Sequence, residues 1–464
     1  MAGEPHGAAR RDWLEASGLL HIFRTLGLSV QPAKLAIGLV AIVATGLLGL
    51  GLDTLWRLHG GVDGSAIENF IRAREMGLPY EETGGNWGIF QVWRAHEERT
   101  TLALLASCIP GTSLATGTPF GAIMESHAAG GPPRHFMRLF YGVWWMMWHH
   151  TYYFLIFALG MLVIWSWAGG ALCRLAALQF AREEKLTAVN GLTYARRKLI
   201  GGFALAPCIP LIIIGATAFL MMLGGAVLRI PVLGDLVGGV AFPLAIVGGF
   251  VIAIMLLGCL VGGGLFCPAV AVEGSDAFDA FSRGLSYPFT KPWKWVLYDI
   301  LLLVYGSICW VFVNLFTFVM LKVTHSVVAF GTSPFGWWSR GEGENTASKM
   351  ELLWPMGGAH VLYAWPDWSR LAWYEYMSAA LIGVFVLIVV GLMWSFLASF
   401  YFSGSTVMYF LLRRDVDGTD LDEVFVDDDE GDEAVMTTGV STTSQDDAAK
   451  GAQVPDQTAP SPPP

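Results

Sequence analysis

The chain has 464 residues, 54% of them hydrophobic and only 14% charged, with a positive mean hydropathy. That balance excludes a string of ordinary soluble domains and points to a chain whose main solvent is lipid. The net charge of −10 belongs to the tail, where fourteen Asp and Glu residues from Arg413 onward face only Arg413, Arg414 and Lys450. The remainder is close to neutral and lacks a basic footprint, so no nucleic-acid partner is expected.

A bilayer core about 30 Å thick takes roughly 20 apolar residues per helix. Residues 1–34 are a mixed segment in which Trp13, Leu14, Leu19, Leu20, Ile22 and Phe23 follow a loosely helical pattern beside basic residues. Such a helix either lies on the leaflet or docks against the core. No cleavable leader is evident ahead of the first apolar run, which is read as an anchor.

The membrane domain is expected over 35–412, with six spans near Leu35–Leu52, Leu139–Leu172, Leu199–Leu228, Val237–Val272, Val296–Val323 and Met377–Leu412. Outer loops fall near 53–138 and 324–376. In the first, Leu102–Ile109 is apolar but too short to cross. In the second, Trp337, Trp338, Trp354, Trp365, Trp368 and Trp373 mark a headgroup zone. Lys and Arg gather at Arg10, Arg11, Arg24, Lys34, Arg174, Arg182, Lys185, Arg196, Arg197, Lys198, Arg283, Lys291, Lys294, Arg413 and Arg414, while the short opposite loop has Arg229 alone. An inner or plasma membrane protein with both termini cytoplasmic follows. The fold class is therefore all-α and polytopic, about six transmembrane helices with interfacial connector helices and a disordered acidic tail over 413–464. None of the six cysteines forms a CxxC pair, and most sit in or beside spans as free thiols.

Two polar islands interrupt the apolar runs. After the second span the chain reads GGALCRLAALQFAREEKLTAVNGLTYARRK, and after the fourth GGGLFCPAVAVEGSDAFDAFSRGLSYPFTKPWK. Both leave the membrane at Gly-Gly and Cys, then carry an amphipathic stretch, Gly-Leu-Thr/Ser-Tyr and basic residues. A parallel duplication, relating spans two and three to four and five, is one reading. In the second island Phe278, Phe281 and Leu285 fall at helical spacing, while Asp276, Asp279, Ser282 and Arg283 are available to water. Pro288 and Pro292 discourage continuation of that helix. Lys291, Trp293, Lys294 and Trp295 then form a basic-aromatic re-entry.

With Ala280 to Arg283 as an Ala-x-x-Arg helix and Lys291 to Trp295 as re-entry, the island resembles the cytoplasmic connector of bacterial polytopic proteins related to the membrane domain attached to some glycerophosphodiester phosphodiesterases. The resemblance covers some 40 residues. It implies an accessory or membrane-organising role; no phosphodiesterase domain follows, so that activity is not implied.

Within the spans, Pro207, Pro210, Pro243 and Pro268 suggest kinks, and Gly258 with Gly262 forms a GxxxG that allows close helix approach. His149 and His150 invite a metal proposal, but neighbours on a helix point about 100° apart, and helix-to-helix or interfacial contacts suit them better. Asp299 is the clearest ionisable residue inside a span, and Asn314 lies further along it; both are candidates for a transport site or a polar contact between helices. Glu183 and Glu184 sit in a polar connector without the arginine that a membrane-protease reading needs. No HExxH, GxSxG or P-loop occurs, so no catalytic residue, cofactor or metal is expected. In the tail, Val416, Leu421, Val424 and Phe425 interleave with acids and suit a basic partner or the chain's own connectors. Phe278, Phe281, Leu285, Leu421 and Phe425 are therefore the candidate docking residues, with membrane lipids and a protein as partners. A non-enzymatic organiser is the leading reading, and a transporter or lipid-handling protein using Asp299 is the alternative.

Overall fold

The computed structural model describes residues 18–57, 60–107, 131–230, 233–332, 349–355 and 366–426. Trp13, Leu14, Cys108, Trp337, Trp338, Trp365 and the tail beyond Val426 lie outside the described residues. Among those described, one two-stranded sheet pairs β1 (Gly61–Val62) antiparallel with β2 (Gly84–Gly85), and helices dominate the rest. Six helices are long and apolar enough to cross a membrane, which makes this an all-α integral membrane protein.

A short helix, α1 (Leu19–Ser29), precedes the first span, α2 (Pro32–Trp56). An outer group follows, made of α3 (Ala66–Glu75), α4 (Ile89–Ser107) and α5 (Gly131–His149) with the small sheet. The second span α6 (Thr151–Arg182) leads through connector α7 (Ala188–Arg197) to the third, α8 (Cys208–Val227). The fourth, α9 (Leu233–Gly262), continues through a 3-10 turn (Gly263–Leu265) into α10 (Phe266–Glu273). Connector α11 (Ala277–Thr290) then joins it to the fifth span, α12 (Pro292–Thr332), and α13 (Lys349–Leu353) comes before the last, α14 (Trp373–Asp417). Val424 ends this unit; Phe425 opens a second.

The second span begins at Thr151, twelve residues later than the hydropathy run beginning at Leu139. That run is longer than one crossing needs, and the chain breaks it at His150. Residues 131–149 instead join the outer group, where Trp145 and Met146 are buried with Ile67, Phe70 and Phe90. Asp53 fixes this group to the end of α2. Its carboxylate accepts from the Phe90 and Gln91 amides at 2.9 and 3.3 Å, capping α4, and from the Tyr153 hydroxyl at 2.9 Å. The apolar stretch from Leu102 meets membrane helices, with Leu105 packed among Trp310, Phe396 and Phe400.

At the opposite face lies the main core. The stretches Ala168–Leu178, Leu265–Val272 and Ser403–Leu412 are buried almost continuously, so three helix ends pack together with α1, α7 and α11 around them. Burial on every side explains why these stretches show no amphipathic period and are rich in small residues. We call this face the hub.

Both islands become connector helices at the hub, each after a left-handed residue, Glu183 and Gly274, and each with a side-chain cap, Thr187 to the Asn190 amide and Asp276 to the Asp279 amide. Helix α11 does not stop at Pro288 but runs through it to Thr290. Proline removes the N–H that would engage the Gly284 carbonyl. That carbonyl lies against Gly262, where any Cβ would strike it, and Gly258 is filled in the same way by Leu285. The GxxxG of the fourth span is thus occupied by α11, not by another span. Replacing Gly262 by Leu should prise α11 from α9 and cost about 1–3 kcal/mol. Maleimide labelling of a Leu285→Cys reporter should then accelerate at least tenfold; equal labelling rates with and without Gly262→Leu would refute this packing.

Candidate functional site

The hub carries a ring of charge built from four segments. Glu273 ends α10, Asp279, Arg283 and Tyr287 line α11, Lys294 and Tyr298 open α12, and Tyr409 to Asp417 closes α14. Glu273 is its centre. It meets Arg283 at 2.9 Å and Arg413 at 3.3 Å, and accepts from the Tyr409 hydroxyl at 2.6 Å. Arg283 also pairs with Asp279 at 3.0 Å, one helical turn before it, and approaches Asp417 at 3.7 Å. Asp417 accepts from Tyr287, whose phenol burial and this bond push up to about 12. Asp415 sits between Lys294 at 2.9 Å and the Tyr298 hydroxyl at 3.0 Å. Arg413 donates to the Glu423 carbonyl at 2.8 Å and so holds the first residues beyond α14.

Two further cations lie deeper. Arg174 is fully buried, donates to the Ala271 carbonyl at 2.9 Å and stacks 4.3 Å from the Tyr194 ring. Lys34 is also fully buried, its ammonium donating to the Leu28 carbonyl and Gln179 Oε1, each at 2.9 Å. Neither residue stood out as a site in the sequence, because one polar residue inside an apolar run has no period; the run GGALCRLAAL around Arg174 was the available signal.

The sequence-derived docking residues divide. Phe281 is buried and Leu285 packs on the main core, so both serve the fold from inside. Phe278 is 67% exposed and, with the exposed Phe289 and Trp293, forms an aromatic rim. Leu421 packs on the core and Val424 is buried, so the start of the tail lies on the chain's own hub. Phe425 falls in the second unit. Asp299 is exposed on α12 without a hydrogen bond or ion pair to a described residue, within electrostatic reach of Tyr401. Asn314 is half-buried on the same helix. Fifteen residues at about 1.5 Å each put it roughly 22 Å from Asp299, so the two do not form one site.

The outer group has its own polar cluster. Glu68 meets Arg138 at 2.9 Å and His96 at 3.5 Å. Beside them Glu97 faces Gly142, and burial raises its carboxyl to about 7 against the pull of His96. His150 pairs with Glu82 at 2.9 Å, whereas His149 stands edge-on to Phe70 and Tyr80. The two imidazoles therefore go separate ways. No group of three or more His, Cys, Asp and Glu residues among those described is placed to hold a metal, and the five described cysteines are free thiols. The chain matches no family model, no curated protein and no solved structure.

Two outcomes follow. Glu273→Gln removes the shared counter-charge of Arg283 and Arg413 in a site only 9% exposed at Glu273, and should lower stability by about 3–5 kcal/mol. Thermal unfolding in detergent reads this; an unchanged midpoint would remove Glu273 from the centre of the ring. For Glu97 the folded pKa lies above the free value, so the folded state holds an extra proton between pH 4.5 and about 7. Its stability contribution falls as pH rises through that window and is flat above it. Glu97→Gln should flatten the slope and stabilise the protein at pH 8 by up to about 3 kcal/mol; parallel pH–stability curves for both forms would show the carboxyl is not buried.

Proposed function

We propose that the protein is a non-enzymatic membrane organiser, a fixed hub that holds out an intramembrane arm made of the third and fourth spans. The observation that carries this reading is exposure. Only 6% of the apolar window of each of these spans is buried, against 28% to 39% for the other four. The pair packs on itself and on α11, with Gly248 against Met221 and Thr217. Its outer face keeps Gly215, Gly224 and Gly249 where a side chain would meet nothing, the kind of surface on which a second helix approaches closely. Cationic flanks support a cytoplasmic side for the hub and both ends of this unit, and the exposed Phe278, Phe289 and Trp293 suit a headgroup zone there. The connector's resemblance to accessory membrane domains agrees with this role.

A second reading, lipid handling or transport, has Asp299 in its favour. A carboxylate on a span costs about 2.5–3.5 kcal/mol at the bilayer centre and less near an end, and such residues commonly line a substrate or ion path; Asp299 lies seven residues after Pro292, towards the hub end of α12. Photo-crosslinkers at Phe219 and Phe250, with Leu159 on α6 as control, separate the two. The organiser gives discrete protein adducts from the arm alone, and these fade when Gly215 and Gly249 are replaced by Leu. Lipid adducts only, together with loss of vesicle lipid movement in Asp299→Asn at unchanged assembly, would transfer the case to the second reading.

A further inference from the structure

Away from the charged ring, α1, the end of α6 and the first residues after α14 enclose a cleft of about 300 Å³, lined by His21, Arg24, Phe180, Arg182, Glu183 and Asp422. Phe180 is its aromatic wall. The His21 ring meets it edge-on at 5.8 Å between centroids, and the Arg24 guanidinium stands 5.5 Å from it. Arg24 also reaches Glu183 at 3.1 Å, but with side chains 45% and 81% exposed this is a weak, water-screened pair. Arg182, the last residue of the second span, makes no hydrogen bond or ion pair to another described residue.

The cleft sets two guanidinium groups against the carboxylates of Glu183 and Asp422. Burial, then the charges of Arg24 and Arg414, hold the His21 imidazole below its ordinary range. Two guanidinium groups, one weakly paired and one unengaged, with an imidazole N–H beside them, form the donor set that a phosphate oxyanion accepts. The volume matches a small polar ligand or one lipid headgroup. Arg182 is the last residue of α6, a 32-residue helix longer than one crossing needs, so the cleft lies at the hub end of that helix.

We propose that this cleft binds a phosphate group, with Arg182 and Arg24 as its charged donors, His21 as a third donor and the Glu183 and Asp422 carboxylates at the rim opposing it. The chemistry is shared by an anionic lipid headgroup and by free phosphate. The site is independent of the arm and of the organiser reading, since none of its residues lies on the third or fourth span.

The test uses the full chain in phosphatidylcholine nanodiscs with or without phosphatidic acid, and separately with inorganic phosphate. Histidine-labelled NMR follows His21, and native mass spectrometry follows retained lipid. Binding should raise the His21 pKa by about one unit, as a nearby anion favours the imidazolium. Arg24→Gln with Arg182→Gln should weaken binding at least tenfold, while Arg229→Gln, at the far end of the third span, should leave it unchanged. Asp422→Asn should tighten it several-fold, a gain that misfolding does not produce. A response to phosphatidic acid that inorganic phosphate does not displace identifies a lipid site; displacement identifies a soluble anion. No response of His21 to either anion, an equal response in the double Arg variant, or no gain in Asp422→Asn overturns the proposal.

Discussion

Glu273 is the constraint on which the hub turns. One carboxylate, nearly out of water, receives Arg283 from a connector, Arg413 from the last span and the Tyr409 hydroxyl a turn earlier. Removing an anion from water costs several kcal/mol, and the attraction repays this only if its remaining lone pairs are satisfied. Here two cations and a phenol satisfy them. Because the three groups come from segments 136 to 140 residues apart at α14 and ten residues away at α11, the bond set fixes tertiary position more than it adds net stability. Losing Glu273 would leave Arg413, only 11% exposed, without its closest carboxylate, whereas Arg283 keeps Asp279 and Asp417.

Helix α11 couples that ring to the arm. On one side it presents Arg283 and Tyr287 to the ring; on the other, Gly284 and Leu285 fill the GxxxG of the fourth span. The arm is joined to the hub by two departures from α-helix, the π turn Leu199–Phe203 and the 3-10 turn Gly263–Leu265. Such irregular turns loosen the backbone ladder and are common where helices change direction or serve function. The α11 clamp and these two turns therefore carry most of what positions two spans that the other four scarcely touch.

How much of this was legible in the sequence follows from the period of each signal. Six apolar runs named the spans, because hydrocarbon demands about 20 apolar residues regardless of neighbours. The amphipathic island named α11, because one face of it is buried and the other wet. Placement of its residues was harder: Phe281 and Leu285 share a face with Phe278 by spacing alone, yet the first two go inward and Phe278 outward. The GxxxG promised close packing but could not name its partner, and the carbonyl it meets is exposed by a proline that spacing rules read as a stop. The start of α6 at Thr151 was hidden because WWMMWHH is as apolar as a span while its burial comes from the outer group. Arg174 and Lys34 were invisible as sites, since their burial depends on the Ala271 carbonyl and the Gln179 amide, which come from segments 97 and 145 residues away.

The same logic explains why the tail's first residues differ from the acidity that follows. Arg413 holds the Glu423 carbonyl, Asp415 and Asp417 are taken by Lys294, Tyr298, Arg283 and Tyr287, and Leu421 and Val424 pack on the core. Apolar residues interleaved with acids at this point thus have partners within the chain, and the pattern that suggested a docking peptide is satisfied at home. An external partner for these residues would have to displace bonds already made, at a cost of several charge-assisted contacts. The arm faces no such competition: only 6% of the apolar window of each of its two spans is buried among the described residues, so a contact made there in the membrane would displace none of the chain's own bonds.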